Sequence, residues 1–140
     1  MFDQPESPSG AFPEKSSQPV VLILCTDLMF AVQLQNIARK AGFRSITVRP
    51  GSDATQGDAL VVDMAERSNW EDAIRKARGS GMQVIAFGPH MDAEARRRAK
   101  AAGANRVLAN SNLERDLPTI LRALRDARNE TILDENDDAR

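Results

Sequence analysis

Residues 20–43, VVLILCTDLMFAVQLQNIARKAGF, change period partway along, and that change decides the fold class. The first six, Val20 to Cys25, are all apolar, as in a strand covered on both faces. Thr26 and Asp27 follow, and either can cap a helix. Behind them Phe30, Leu34, Ile37, Ala38 and Ala41 share one face at helical spacing. Gly42 then stands where helices commonly end.

The same alternation continues downstream. Ser45 to Val48 is a short second strand, stopped by Pro50 and Gly51. Only the polar stretch 51–58 separates it from a third strand, Ala59 to Asp63, which is too little chain for a full crossover helix. A loop or a single turn is expected there. Ser68 and Glu71 form an S-x-x-E capping box, and the helix it opens points Trp70, Ala73, Ile74 and Ala77 inward. Met82 to Phe87 is a fourth strand. Asp92 can cap a helix over Ala93–Ala102 whose inner face is only alanine (Ala95, Ala99, Ala102), ended by Gly103. Arg106 to Leu108 is the fifth strand. Ser111 and Glu114 offer another capping box before a last helix carrying Leu117, Ile120, Leu121 and Leu124. Pro118 belongs outside a helix interior, so the regular part is expected to begin near Asp116. Strands alternating with helices indicate a parallel sheet with right-handed crossovers. The expected fold is therefore α/β: a three-layer, doubly wound, five-stranded parallel sheet of flavodoxin-like order 2-1-3-4-5. Its second crossover helix is shortened or missing.

The totals agree with one soluble domain. The chain has 140 residues, 41% hydrophobic and 28% charged, enough to bury a core without disulfides or metals. Residues 1–18 hold Pro5, Pro8 and Pro13 among serines and few apolar groups, the composition of a flexible arm. Residues 128–140 end in Asp134, Glu135, Asp137 and Asp138, an acidic tail. The folded domain is expected over 19–127. A net charge of −1 gives no field to draw the chain to nucleic acid or an anionic membrane, and 4% aromatics supply no stacking platform. The apolar runs are strand-sized, shorter than the roughly 20 residues of a membrane span. No secretory signal is visible, so a cytoplasmic location is the default. One cysteine, Cys25, and one histidine, His90, cannot make a disulfide or a metal cluster.

In such sheets chemistry gathers at the carboxyl ends of the strands. The relevant residues are Cys25 to Asp27, Asp63, Gly88 to His90 and Ala109 to Ser111. Asp63 closes the third strand and could accept a phosphoryl group or hold a divalent cation; the plainer role is a solvated strand end or a turn cap. Cys25 reads as a small buried apolar residue rather than a redox sensor. His90 reads as a loop histidine, since no nucleophile with a supporting network stands beside it in sequence. An acid–base pair of Asp63 and His90 is the enzymatic alternative. No glycine-rich loop follows the first strand, which disfavours nucleotide and flavin sites.

Three of these strings together resemble the receiver domains of bacterial two-component signalling. LILCTDLMFAVQLQNIARKAGF is similar to a receiver's first strand and helix, ALVVD to the strand bearing the phosphorylated aspartate, and AKAAGANRVLANS to the approach to the fifth strand. The likeness spans roughly residues 19–127. It implies Asp63 as the phosphoacceptor equivalent, and nothing else in the family's working set survives. The acidic pair that binds Mg²⁺ corresponds to Cys25 and Thr26, and Mg²⁺ requires hard oxygen ligands. The hydroxyl residue after the fourth strand corresponds to Gly88, the phosphate-pairing lysine to Asn110, and the aromatic switch residue to Val107. Aspartyl phosphorylation needs a metal, a cation and a hydroxyl on the transferring oxygens, and losing one such group costs about 10²–10³ in rate.

The resemblance therefore implies a stand-alone pseudo-receiver, not an enzyme, that uses no cofactor and regulates by contact with another protein. That protein could be a kinase, a regulator, another receiver or a second copy of the chain. The alternative is an atypical phosphoreceiver that accepts phosphate on Asp63, with Mg²⁺ held through Asp27. Arg96, Arg97, Arg98 and Lys100, with Arg106 near, form a candidate basic docking face; the plain reading is a solvated helix surface. Trp70 reads as a boundary residue of the core rather than a partner anchor.

Overall fold

The computed structural model describes residues 18–51, 56–65, 69–89 and 92–138, with side chains to residue 130. Among the described residues, five strands and four α-helices follow in the order β1 (Val20–Leu24), α1 (Leu28–Lys40), β2 (Arg44–Val48), β3 (Ala59–Asp63), α2 (Trp70–Gly79), β4 (Gln83–Gly88), α3 (Ala93–Ala102), β5 (Arg106–Ala109) and α4 (Leu113–Asp138). All strand pairs are parallel, in the order β2-β1-β3-β4-β5. This is the doubly wound arrangement that the sequence pattern implies.

The continuous apolar strands divide their side chains between two cores. Val21, Ile23 and Cys25 point to one face, where they meet Leu34 and Ile37 of α1 and Leu113, Leu117 and Leu121 of α4. Leu22 and Leu24 point to the other, where they join Trp70 and Ile74 of α2 and Ala95 and Ala99 of α3. The alternation is the two-residue period of a strand, and it explains why β1 and β3 carry no polar residue before Asp63. The α3 side is the thinner one, because that helix presents only alanine to the sheet.

No helix links β2 to β3 among the described residues, in line with the short connection read from the sequence. Ile46 shows the consequence. It pairs in register with Leu22 and so lies on the α2/α3 face of the sheet, yet it is 38% exposed on its edge strand. At the amino ends of the strands, Asp58 ties three elements together. Its Oδ2 accepts the Val20 amide at 2.8 Å, and its Oδ1 accepts Arg128 Nε of α4 at 3.0 Å. Nearby, Arg125 donates to the Ala41 carbonyl at 3.0 Å and packs against Gly42, whose φ of +91° suits a residue without a side chain.

Two boundaries differ from the sequence expectation. The cap of α2 is Asn69, whose side chain accepts the Asp72 amide; Ser68 lies outside the described residues. The segment Asn69 to Asp72 offers a cap of equal strength one residue later, and it places Trp70 in the core at the first helical position. The last helix begins at Leu113, not near Asp116, after a 3₁₀ turn over Asn110–Asn112 that has no side-chain cap. Pro118 is thus inside the helix. Starting at Leu113 buries both Leu113 and Leu117 almost completely, worth about 1.5–3 kcal/mol each, which offsets the roughly 3 kcal/mol cost of an interior proline. The helix also continues past residue 127, through Asp138. Residues 1–17, where the flexible arm was expected, lie outside the described residues.

Candidate functional site

The carboxyl edge of the sheet brings Cys25, Asp63 and Gly88 together, because β1, β3 and β4 are neighbours. Asp63 is only 6% exposed. Its Oδ1 accepts the Ala65 amide at 2.8 Å, the Asx turn by which a strand-end aspartate closes its own loop. Its Oδ2 stands 3.6 Å from the Cys25 thiol. The same sulfur is 3.6 Å from the Asp27 carbonyl, so its single proton has two acceptors. Burial, first of all, pushes the Cys25 thiol up to about 12; a backbone hydrogen bond at Asp27 opposes this, and the charge of Asp63 adds to it. The thiol is therefore a neutral donor to the carboxylate and not a thiolate nucleophile.

Asp27 caps α1. Its Oδ1 accepts the amides of Met29 and Phe30 at 3.0 and 3.1 Å, so that oxygen is committed to the helix end. Thr26 beside it is exposed. Among the described residues, no three His, Cys, Asp or Glu side chains come together as metal ligands would. The oxygen-rich shell that Mg²⁺ demands does not fit a site in which the Cys25 thiol, just past the end of β1, stands against the Asp63 carboxylate.

Gly88 is closed in by a residue absent from the sequence expectation. A Cβ built on Gly88 would come within 2.9 Å of Met64 Cε and 3.3 Å of Met64 Cβ. Met64 itself is buried, and its amide donates to the Phe87 carbonyl at 2.8 Å, which seats it over the end of β4. The space that a side chain at position 88 would take is thus filled by a thioether. Asn110 opens the 3₁₀ turn after β5; its side-chain oxygen is buried with no hydrogen-bond partner among the described residues. Val107 is half-buried on β5 and packs on the α2/α3 core. His90 lies outside the described residues.

The five cations of the candidate basic face do not form one patch. Arg98 turns toward α2, where its guanidinium grips Glu71 through two hydrogen bonds of 2.8 and 2.7 Å and lies 5.1 Å from the centre of the Trp70 ring. That hydrogen bonding holds the Glu71 carboxyl below the usual carboxylate range. Arg97 pairs with Glu94 on its own helix. Arg96 turns the other way and donates to the Val107 carbonyl at 3.4 Å. Lys100 shares the Arg96 side by its four-residue spacing, and Arg106 begins β5.

Sequence reading did not anticipate the Met64 stopper or the Cys25–Asp63 contact, since both join residues whose proximity depends on strand order. A third feature was legible but passed over: Leu28, Met29 and Val32 fall off the inward stripe of α1, and they are 80%, 84% and 55% exposed.

No family model and no curated protein matches the chain. Solved structures do. It is similar to a CheY-like response regulator receiver domain protein from Methanospirillum hungatei, at 15% identity and a TM-score of 0.69 over 81% of this chain and 98% of that one. It is similar to the signal receiver domain of a Luxo repressor protein from Vibrio parahaemolyticus, at 19% identity and a TM-score of 0.67 over 84% and 98%. It is also similar to the receiver domain of a sensor histidine kinase from Pseudomonas aeruginosa, solved with magnesium in its active-site cleft, at 19% identity and 0.66 over 78% and 98%. At these identities the shared property is architecture: this chain has the fold of a response-regulator receiver domain.

Proposed function

We propose that the chain is a pseudo-receiver, which acts in a signalling pathway by binding another protein and not by accepting phosphate. The observation that carries this reading is the closed crater around Asp63. The carboxylate is buried, hydrogen-bonded to its own turn, and faced by a protonated thiol. Met64 fills the space over Gly88. Among the described residues, a phosphoryl group placed on Asp63 would meet a sulfur donor and a methyl group, neither of which neutralises the charge that develops in such transfers. The retained part is the scaffold with its surfaces. Arg96, Lys100 and Arg106, on the β5 side of α3, are the cations best placed to meet an acidic partner, whereas Arg98 is engaged with Glu71.

The test is phosphoryl-analogue binding. Beryllofluoride with Mg²⁺ should leave the amide spectrum and the Trp70 fluorescence unchanged, in wild type and in Asp63→Asn alike. Uptake of a phosphoryl group from acetyl phosphate that disappears in Asp63→Asn would overturn the reading and establish an atypical phosphoreceiver with Asp63 as acceptor.

A further inference from the structure

Behind its Asp27 cap, the first turn of α1 is unusually apolar. Helix amino ends favour Asp and Glu, which complement the dipole, yet this one has no acidic residue in its first turn and begins Leu28-Met29. Both side chains are at least 80% exposed, and Val32, one turn on, is 55% exposed. Three large apolar groups on one turn and a half of a helix, facing solvent, form a patch and not scattered exposure. Met29 and Val32 line an open groove of about 680 Å³ that runs along α1 to α4, and Leu28 precedes Met29 in the same turn.

The groove is charged only at its ends. Asp27 and Glu114 stand at one end, Lys40 at the other, and the lining between them is uncharged. Helices α1 and α4 both follow strands of one parallel sheet, so they run side by side in the same direction. Asp27 before α1 and Glu114 at the start of α4 therefore share the upper end. Lys40 closes α1 at the lower end, about 20 Å away for a 13-residue helix. A surface that is acidic at one end, basic at the other and uncharged between, with Met29, Phe30, Val32 and Ile37 beside Gln33 and Asn36, is complementary to itself turned by 180°.

We propose that this α1 face is the seam of a two-fold symmetric dimer of the chain, in which two α1 helices pack antiparallel. Lys40 of one copy meets Asp27 and Glu114 of the other, twice over, and the exposed apolar residues of both copies are covered between these contacts. Such an interface is isologous, as most homodimers are. One helix face and its borders lie at the low end of specific interface sizes, about 1,200 Å² in total, so the dimer is a weak one with a dissociation constant on the order of micromolar. The inference goes beyond the pseudo-receiver reading and does not depend on it, since none of these residues lies at Asp63.

Sedimentation equilibrium of the full chain across the micromolar range tests it. Wild type should show a reversible monomer–dimer equilibrium. Met29→Glu should raise the dissociation constant by at least about tenfold, and Leu28→Lys should act in the same direction; both sites are exposed, and circular dichroism checks that each variant is folded. Charge reversal gives the sharper arm. Lys40→Glu and Glu114→Lys should each weaken the dimer, because each creates like-charge contacts at both ends of the seam. Mixed in equal amounts, the two variants should dimerise more tightly than either alone, since both contacts between positions 40 and 114 in the mixed dimer again join opposite charges. A wild-type chain that stays monomeric throughout, a dimer indifferent to Met29→Glu, or a mixture no tighter than its separate components would each overturn the proposal.

Discussion

The sulfur of Cys25 lies 3.6 Å from Oδ2 of Asp63, although 38 residues separate them. The contact exists because β1 and β3 pair in parallel with Leu24 opposite Val62, which sets the next residue of each strand side by side at the sheet's carboxyl edge. Burial first of all, with the Asp63 carboxylate adding to it, keeps a proton on the thiol. An unfolded thiol titrates near 9.0, and the native one is pushed up to about 12.

Between those values the unfolded chain gives up a proton that the native chain retains. The stability contributed by this difference is fully present below pH 9 and is lost as the pH rises toward 12, by up to about 1.4 kcal/mol per pH unit. The chain contains no tyrosine, so phenol ionisation does not mask it. Urea unfolding of wild type should therefore weaken from pH 9 upward, and Cys25→Ala should flatten that decline. Equal alkaline slopes in both proteins would show that the thiol ionises alike in the native and unfolded chains.

The Met64–Gly88 contact makes a prediction about packing. Gly88→Thr, which supplies the hydroxyl a receiver carries there, should destabilise the fold by about 1–3 kcal/mol, because the new Cβ meets a buried side chain. Met64→Ala in the same chain should recover part of that loss, so the two changes should couple in a double-mutant cycle read by urea denaturation. Additive behaviour would mean that Met64 swings clear without cost.

Asp58 is a testable clamp. Asp58→Ala removes the acceptor of the Val20 amide and of Arg128 together, and should cost about 1–3 kcal/mol. Asp58→Asn keeps an oxygen for the amide but loses the charge on Arg128, so it should cost less. Hydrogen exchange should place the loss at the start of β1, with faster exchange at Val20 to Leu22. Protection unchanged there in Asp58→Ala would remove the clamp from the account.

Arg98 should hold α3 to the domain more than it serves any partner. Its guanidinium spans Glu71 and the Trp70 ring, and α3 otherwise rests on alanines. Arg98→Ala should shift the emission of Trp70, the single tryptophan, and speed amide exchange along α3, with α1 and α4 unaffected. Fluorescence and exchange identical to wild type would assign the contact no mechanical role.

Much of this molecule was determined by its sequence alone. The apolar run Val20–Cys25, the Asp27 cap and the stripe Leu34–Ile37–Ala38 are local signals, carried by near neighbours in the chain, and each element formed where its period placed it. Strand order followed from connection lengths and handedness, and so did the short link between β2 and β3. Helix boundaries were less legible, as at Leu113, because burial of two leucines outweighed the local preference of Pro118. The resemblance to receivers named Cys25, Thr26, Gly88, Val107 and Asn110 by position. What surrounds those positions could not be read that way. That Cys25 protonates against Asp63, that Met64 stops the space over Gly88, and that Arg98 turns away from Arg96 are facts of distance between residues far apart in sequence. A linear chain specifies side-chain types and periods, but which atoms share a desolvated space is decided only when the sheet closes and its strands take their neighbours.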